Sequence, residues 1–236
     1  MSTPGTRTTR HRKWRSGLPW LVLPVKGLSR GKGRLARLLS DASRRRLNEL
    51  LLRHALTIAA AFPGGRRTLV VSRCAATLAL ARRYGAGAVR ERRGGLNAAV
   101  TQGVQAIRAR SESPVIVIAC DLPLLRAHDL RTLSRRGLRL GADLVLCPDE
   151  SGTGTNAIYI GEGVQLRFRF GAASLQKHLR EAQQHGLLTK LYIEARIARD
   201  IDTPAQLRRW RHERRRECSR RASAIKKSGG SAKAAA

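Results

Sequence analysis

Val115-Ile116-Val117-Ile118 is β-branched without a break, and the apolar run from Pro114 to Ala119 ends abruptly in Cys120-Asp121-Leu122-Pro123. No polar residue alternates within the run. It therefore predicts a strand buried on both faces of a parallel sheet, with helices covering each side. Pro123 stops the strand from continuing. Asp121 then falls at the carboxyl edge of the sheet, where ligands bind in open α/β folds. An acid held there on rigid backbone suits a divalent metal and its phosphates. The plainer reading is an aspartate that caps the following turn or helix.

The rest of the chain alternates in the same way. Strands are expected at 20–23 (halted at Pro24), 68–71, 88–90, 144–146 and 157–160. Between them lie amphipathic helices at about 42–60, 74–84, 96–108, 128–138 and 175–185, and Pro204 opens a last one. Ser40 or Asp41 caps the first helix, and Pro63-Gly64-Gly65 closes it. This β–α order predicts a Rossmann-like, three-layer α/β fold with a mostly parallel sheet. Residues 18–215 read as one domain, flanked by a disordered basic arm (1–17) and a disordered basic tail (216–236).

The formal net charge is +31. The tails hold much of it, yet residues 17–207 still carry 31 basic residues against 14 acidic. Nucleic-acid binding, an anionic surface, a phosphorylated substrate or a genome-wide arginine bias would each produce this. Arginine heavily outnumbers lysine and few aromatics interleave with it, so a base-stacking platform is not supported. Four cysteines without a CxxC pair, no apolar run of 18 residues and no signal-like segment predict a reduced, cytoplasmic protein with no membrane span.

Several loops carry possible chemistry. After the first strand, residues 24–35 place three glycines and four cations in one stretch, among them Lys26, Lys32 and Arg34. Glycine allows backbone N–H groups close to phosphate, and the cations would neutralise a triphosphate. A flexible basic loop is the alternative. Gly94-Gly95-Leu96-Asn97 makes a tight turn before a helix, with Asn97 as an N-cap or as a contact to base or ribose. Ser151 to Asn156 and Phe170 to Ser174 are loops rich in N–H and hydroxyl groups, the second opening a helix that suits an anion. In Asp200-Ile201-Asp202-Thr203-Pro204 two carboxylates lie two apart and face one way; Asp202 or Thr203 also suits an N-cap before Pro204. His178 and His185, seven apart on one helix, have no third ligand near them in sequence and read as surface or satisfied side chains.

Taken in order, the segments LPVK (23–26), GKGRL (31–35), GGLNAAV (94–100), ACDLPLL (119–125), GTNAI (154–158), FGAAS (170–174) and DIDTP (200–204) resemble the 2-phospho-L-lactate or phosphoenolpyruvate guanylyltransferases of coenzyme F-420 biosynthesis. Some members of that family use 3-phospho-D-glycerate. The resemblance implies a glycosyltransferase-A-like nucleotidyltransferase fold with a mixed sheet, and GTP and a small phosphorylated acid as substrates. It implies Lys26 and Asp121 in catalysis, Mg²⁺ on Asp121, Asp200 and Asp202, and the acid on Thr155, Gly171 and Ser174. Hand-off of the product to the next enzyme of the pathway and a homodimer are further expectations. One departure stands out: the family usually reads KTRL where this chain has Lys32-Gly33-Arg34-Leu35.

Two other functions compete. Molybdopterin and sugar-phosphate nucleotidyltransferases share the architecture, but they usually carry a glycine-rich Arg-Met-like loop where this chain has Pro24-Val25-Lys26. A nucleic-acid-binding protein would follow from charge alone, and no recognition motif of that class is present.

Overall fold

The computed structural model describes residues 17–28 and 32–230. The basic arm, but for Gly17, and the last six residues of the tail lie outside that range. Among these residues, seven strands form one sheet: β1 (Trp20–Val25), β2 (Thr68–Ser72), β3 (Gly87–Arg90), β4 (Val115–Ile118), β5 (Leu144–Pro148), β6 (Thr155–Ile160) and β7 (Thr189–Leu191). Their order across the sheet is β3-β2-β1-β4-β6-β5-β7. All neighbours run parallel except β6, which is antiparallel to both β4 and β5. The sheet is thus mixed, and β4 has a parallel neighbour on one side only, although all four of its residues are buried.

Among the described residues, seven α-helices accompany the sheet: α1 (Asp41–Ala61), α2 (Ala75–Arg83), α3 (Leu96–Arg108), α4 (Ala127–Arg139), α5 (Ser174–Gln184), α6 (Ala195–Ala198) and α7 (Pro204–Gly230). Strand alternation assigns them to faces. Leu21, Leu23 and Val25 pack with Leu52 and Leu56 of α1, Leu78 of α2 and Leu130 of α4. Val22 faces the other way, with Val100 of α3 and Leu175 of α5. Each buried leucine or valine of these two cores contributes about 1.5–3 kcal/mol. Gly103 lets α3 lie close on the sheet: a Cβ there would stand 2.8 Å from Val22 and 3.0 Å from Val71. A third, smaller cluster joins Leu35, Leu47 and Leu51 to Ile201 and Leu207, tying the loop after β1 and helix α1 to the start of α7.

Three sequence expectations change. β1 continues through Pro24 to Val25. Its pairing with β4 ends at Val22, so the missing proline N–H costs no ladder bond on that side. β7 and α6 were not anticipated: three and four residues are too short to show a period, and β7 is an edge strand on β5. The tail, expected to be disordered, continues α7 to Gly230, in keeping with residues 211–227, which hold no glycine or proline. Among the described residues, no helix is long and apolar enough to cross a membrane.

Candidate active site

A cleft of about 860 Å³ opens where β1 and β4 end and β6 begins. Because β6 is antiparallel, its first residue, Thr155, arrives at the same rim as the last residues of β4. Lys26, Arg34, Asp121, Thr155, Gly171, Ser174, Asp200 and Asp202 all line this cleft. Asn97 and Lys32 are not among its lining residues.

Asp121, Asp200 and Asp202 each place a carboxylate oxygen within 4.8 Å of the others, although six elements, α4 to α6, separate the first from the pair in the chain. Several bonds bring them together. Ile201 N–H donates to the carbonyl of Asp121 at 3.2 Å. The buried amide of Asn156 donates to the carbonyls of Ile197 and Ala198 at 3.0 and 3.1 Å, fixing the segment that leads into Asp200. Thr203 and Gln206 then form a reciprocal cap on α7: Gln206 N–H donates to Thr203 Oγ1, and Gln206 Oε1 accepts from Thr203 N–H at 2.8 Å. The same Oε1 accepts from Asp202 N–H at 2.9 Å, and Gln206 Nε2 donates to Asp200 Oδ1 at 3.0 Å. The cap therefore falls to Thr203, which leaves both aspartate side chains for the cleft.

Lys32, read from the sequence as a cation facing phosphates, turns inward. Its ammonium lies 3.0 Å from Asp121 Oδ2 and 3.2 Å from Asp202 Oδ1, and it also donates to the carbonyl of Ile201. Lys32 reaches this position from a left-handed backbone conformation, φ 62°. Burial works against its charged form, but Asp121 and then Asp202 more than offset that and hold its pKa above the ordinary lysine value. Burial, followed by repulsion from Asp121 and Asp202, pushes the Asp200 carboxyl up to about 6. The cluster thus already carries one cation among its oxygens, and its negative charge is still in excess. An all-oxygen donor set of this kind fits a hard divalent cation.

On the opposite wall, Gly171 (φ 124°) and Ala173 (φ 52°) bend the chain into the start of α5. A non-glycine residue in the left-handed region is a strained choice of the sort found at binding sites. Asn97 holds this bend: its Nδ2 donates to the carbonyl of Phe170 at 3.1 Å, and its Oδ1 accepts from Phe170 N–H at 2.7 Å. Each group of the amide is thus engaged by the Phe170 backbone, and Gly95, not Asn97, occupies the N-cap of α3. Asn97 is a positioning residue for the 170–174 loop.

His178, fully buried, joins the wall from behind. Arg169 N–H donates to its Nε2 at 3.0 Å, so in the neutral ring the proton sits on Nδ1 and is donated to Thr155 Oγ1 at 3.2 Å. Burial lowers the pKa of His178 to about 4, so the ring stays neutral at ordinary pH. Ser174 also donates to Thr155 Oγ1, at 3.3 Å. With two donors on its oxygen, Thr155 has its own hydroxyl proton left for an acceptor in the cleft. His185 is exposed.

Lys26 and Arg34 are exposed on the cleft wall and enter no ion pair among the described residues. Gln206 and Asn156 were not singled out from sequence. The Thr-Pro-Ala-Gln spacing of a capping box was the available signal for Gln206; Asn156 shows none beyond its place in a glycine-threonine loop.

Residues 20–210 match the family described as guanylyl transferase CofC like. The chain is 35% identical over 194 residues to the phosphoenolpyruvate guanylyltransferase of Chloroflexus aggregans, covering 80% of this chain and 95% of the relative. It is 36% identical over 189 residues to the 3-phospho-D-glycerate guanylyltransferase of Phenylobacterium zucineum, covering 78% and 85%. With the 2-phospho-L-lactate guanylyltransferase of Methanocaldococcus vulcanius the identity is 29% over 188 residues, covering 79% and 81%. The fold is similar to that of a putative nucleotide-diphospho-sugar transferase of Desulfovibrio desulfuricans, with TM-score 0.58 and 13% identity over 78% of this chain and 82% of that one. It is also similar to a Mycobacterium tuberculosis protein solved as a manganese complex, with TM-score 0.50 and 15% identity over 82% and 97%.

Proposed function

The chain belongs to the guanylyl transferase family described as CofC like, and on that premise we propose that it transfers GMP from GTP to the phosphate of a phosphorylated three-carbon acid in coenzyme F-420 biosynthesis. Pyrophosphate is the other product. The observation that carries this reading is the convergence of Asp121, Asp200 and Asp202 within 4.8 Å on the floor of a cleft whose other wall presents Thr155, Gly171 and Ser174.

In the proposed reaction a phosphate oxygen of the acid bonds to the α-phosphorus of GTP, and the bond from that phosphorus to the leaving pyrophosphate breaks. The attacking oxygen is already anionic, so no strong base is required. The work of the protein is positioning and charge neutralisation. Asp121, Asp200 and Asp202 would hold a divalent cation, proposed as Mg²⁺, whose charge would offset that of the phosphates. Lys26 and Arg34, which enter no ion pair among the described residues, would balance the charge that builds on pyrophosphate. Thr155 would donate its hydroxyl to the acid, and Ser174 and the backbone of Gly171 would flank it. The relatives named above act on phosphoenolpyruvate, 3-phospho-D-glycerate and 2-phospho-L-lactate, so the acceptor is assigned here as a class.

The test is direct. Purified protein with GTP and Mg²⁺ is given each of the three acids separately, and pyrophosphate release and product mass are read. Product is expected with at least one acid, and Asp121→Asn is expected to lower its rate by about 10²-fold or more while the fold persists. No product with any acid, or wild-type turnover in the variant, overturns the proposal.

A further inference from the structure

Beyond the main cleft, past Pro24, Lys26 and Leu96, which line both spaces, lies a smaller recess of about 170 Å³. Its other walls include Val25, Gly94, Gly95 and Ala99, so it is largely apolar. Arg73 and one acid also line it. Glu91 follows directly on β3, and its backbone N–H is anchored on the carbonyl of Ser72 at 3.0 Å. Its side chain is only 8% exposed, yet it takes part in no hydrogen bond among the described residues. The nearest opposite charge is Arg73 Nε, 3.9 Å from Oε1 and beyond hydrogen-bond reach. A buried carboxylate without donors is costly and calls for an explanation. Gly95, at φ 108°, leaves open space beside it, because a Cβ there would meet nothing within 4 Å.

We propose that Glu91 reads the purine of the nucleotide, accepting hydrogen bonds from two adjacent donors on the edge of guanine. The inference rests on the proposed use of GTP and names the part of the site that selects it. Three features argue for a purine. The recess adjoins the phosphate-facing Lys26, so a base placed in it remains linked to its phosphates in the main cleft. Its apolar walls, Pro24, Leu96 and Ala99, suit the flat face of a ring. An ionised carboxylate is acceptor-only. Guanine offers N1–H and the 2-amino group side by side; hypoxanthine offers N1–H alone, and adenine presents an acceptor at that position. A site built around such a bond rejects analogues that lack the donor, because its polar group is then left unpaired.

The experiment measures binding separately from transfer. Affinities of GTP, ITP and ATP are determined calorimetrically with Mg²⁺ for wild type, Glu91→Gln and Glu91→Ala, and pyrophosphate release is followed in parallel. Wild type is expected to bind GTP about 10-fold or more tighter than ITP, and about 10³-fold tighter than ATP. In Glu91→Ala the GTP-to-ITP ratio is expected to fall to about 1, and Glu91→Gln also loses most of its preference. Each ratio is internal to one protein, so a partial loss of folded material cancels. Unchanged ratios in both variants overturn the inference, as does a wild type indifferent to the base. Selective GTP binding without transfer to any acid would overturn the proposed reaction and leave the role of Glu91 standing.

Discussion

Gln206 Nε2 donates to Asp200 Oδ1 at 3.0 Å, so the partner of Thr203 in the cap of α7 also orients a member of the acidic cluster. A ligand held by such an outer contact loses alignment when the contact is removed. Gln206→Ala is expected to raise the Mg²⁺ concentration for half-maximal pyrophosphate release by about 10-fold or more. It should also cost about 1 kcal/mol of stability through the lost cap. Metal titration and chemical denaturation measure the two effects separately. An unchanged metal requirement would leave Gln206 as a cap alone.

Lys32 places its ammonium between Asp121 and Asp202. Lys32→Met leaves those acids repelling one another. The variant without metal is expected to melt several degrees lower than wild type, since about 1 kcal/mol corresponds to roughly 2–4 °C in a chain of this size. Added Mg²⁺ should raise its melting temperature more than that of wild type, because the metal then relieves a larger repulsion. Equal metal-induced shifts in the two proteins would argue against this role.

His178 makes stability depend on acidity. Its folded pKa, about 4, lies below the unfolded value near 6.5, so the unfolded chain binds more protons between those limits. Its contribution is complete above pH 6.5 and is lost as pH falls toward 4, by an amount on the order of 3 kcal/mol. Denaturation curves at pH 7, 5.5 and 4 should show this loss in wild type, and a smaller loss in His178→Asn. The variant should also raise KM for the acid more than it lowers kcat, because Thr155 loses the donor that fixes its hydroxyl.

Gly33 sits in a short turn at Gly33–Leu35 with open space about its Cα; a Cβ there would meet nothing within 4 Å. Gly33→Thr, which writes KTRL into the loop, is therefore expected to fold normally. It should gain a few tenths to about 1 kcal/mol by restricting the unfolded chain. Thermal melting checks this, and a destabilised variant would show that the loop needs the freedom of glycine.

The apolar strands were plain in the sequence because burial on both faces leaves unbroken β-branched runs, as in Val115–Ile118. Asp121 was legible for a related reason, since it follows such a run closely; Asp200 and Asp202 drew notice by lying two apart in extended chain. Other parts were hidden. Asn97 is bonded to the backbone of Phe170, and Asn156 to Ile197 and Ala198; neither partner has a side-chain signature that could announce it. The inward turn of Lys32 depends on a left-handed residue that is not glycine, which no composition rule selects. His178, read as a surface or a satisfied side chain, is satisfied by the Arg169 N–H and by Thr155, and the second pairing exists only across β6 and α5.

The reversed course of β6 has a consequence for how such a protein diversifies. Had that strand run with its neighbours, Thr155 would open at the far rim, remote from Asp121. As built, the stretch before residue 126 supplies the recess of Glu91 and the wall of Lys26, while Thr155, Gly171 and Ser174 come later in the chain. If the proposed roles hold, the base and the acceptor are met by different stretches of one chain, and the bonds of Asn97 to the Phe170 backbone are where a change in one stretch would reach the other.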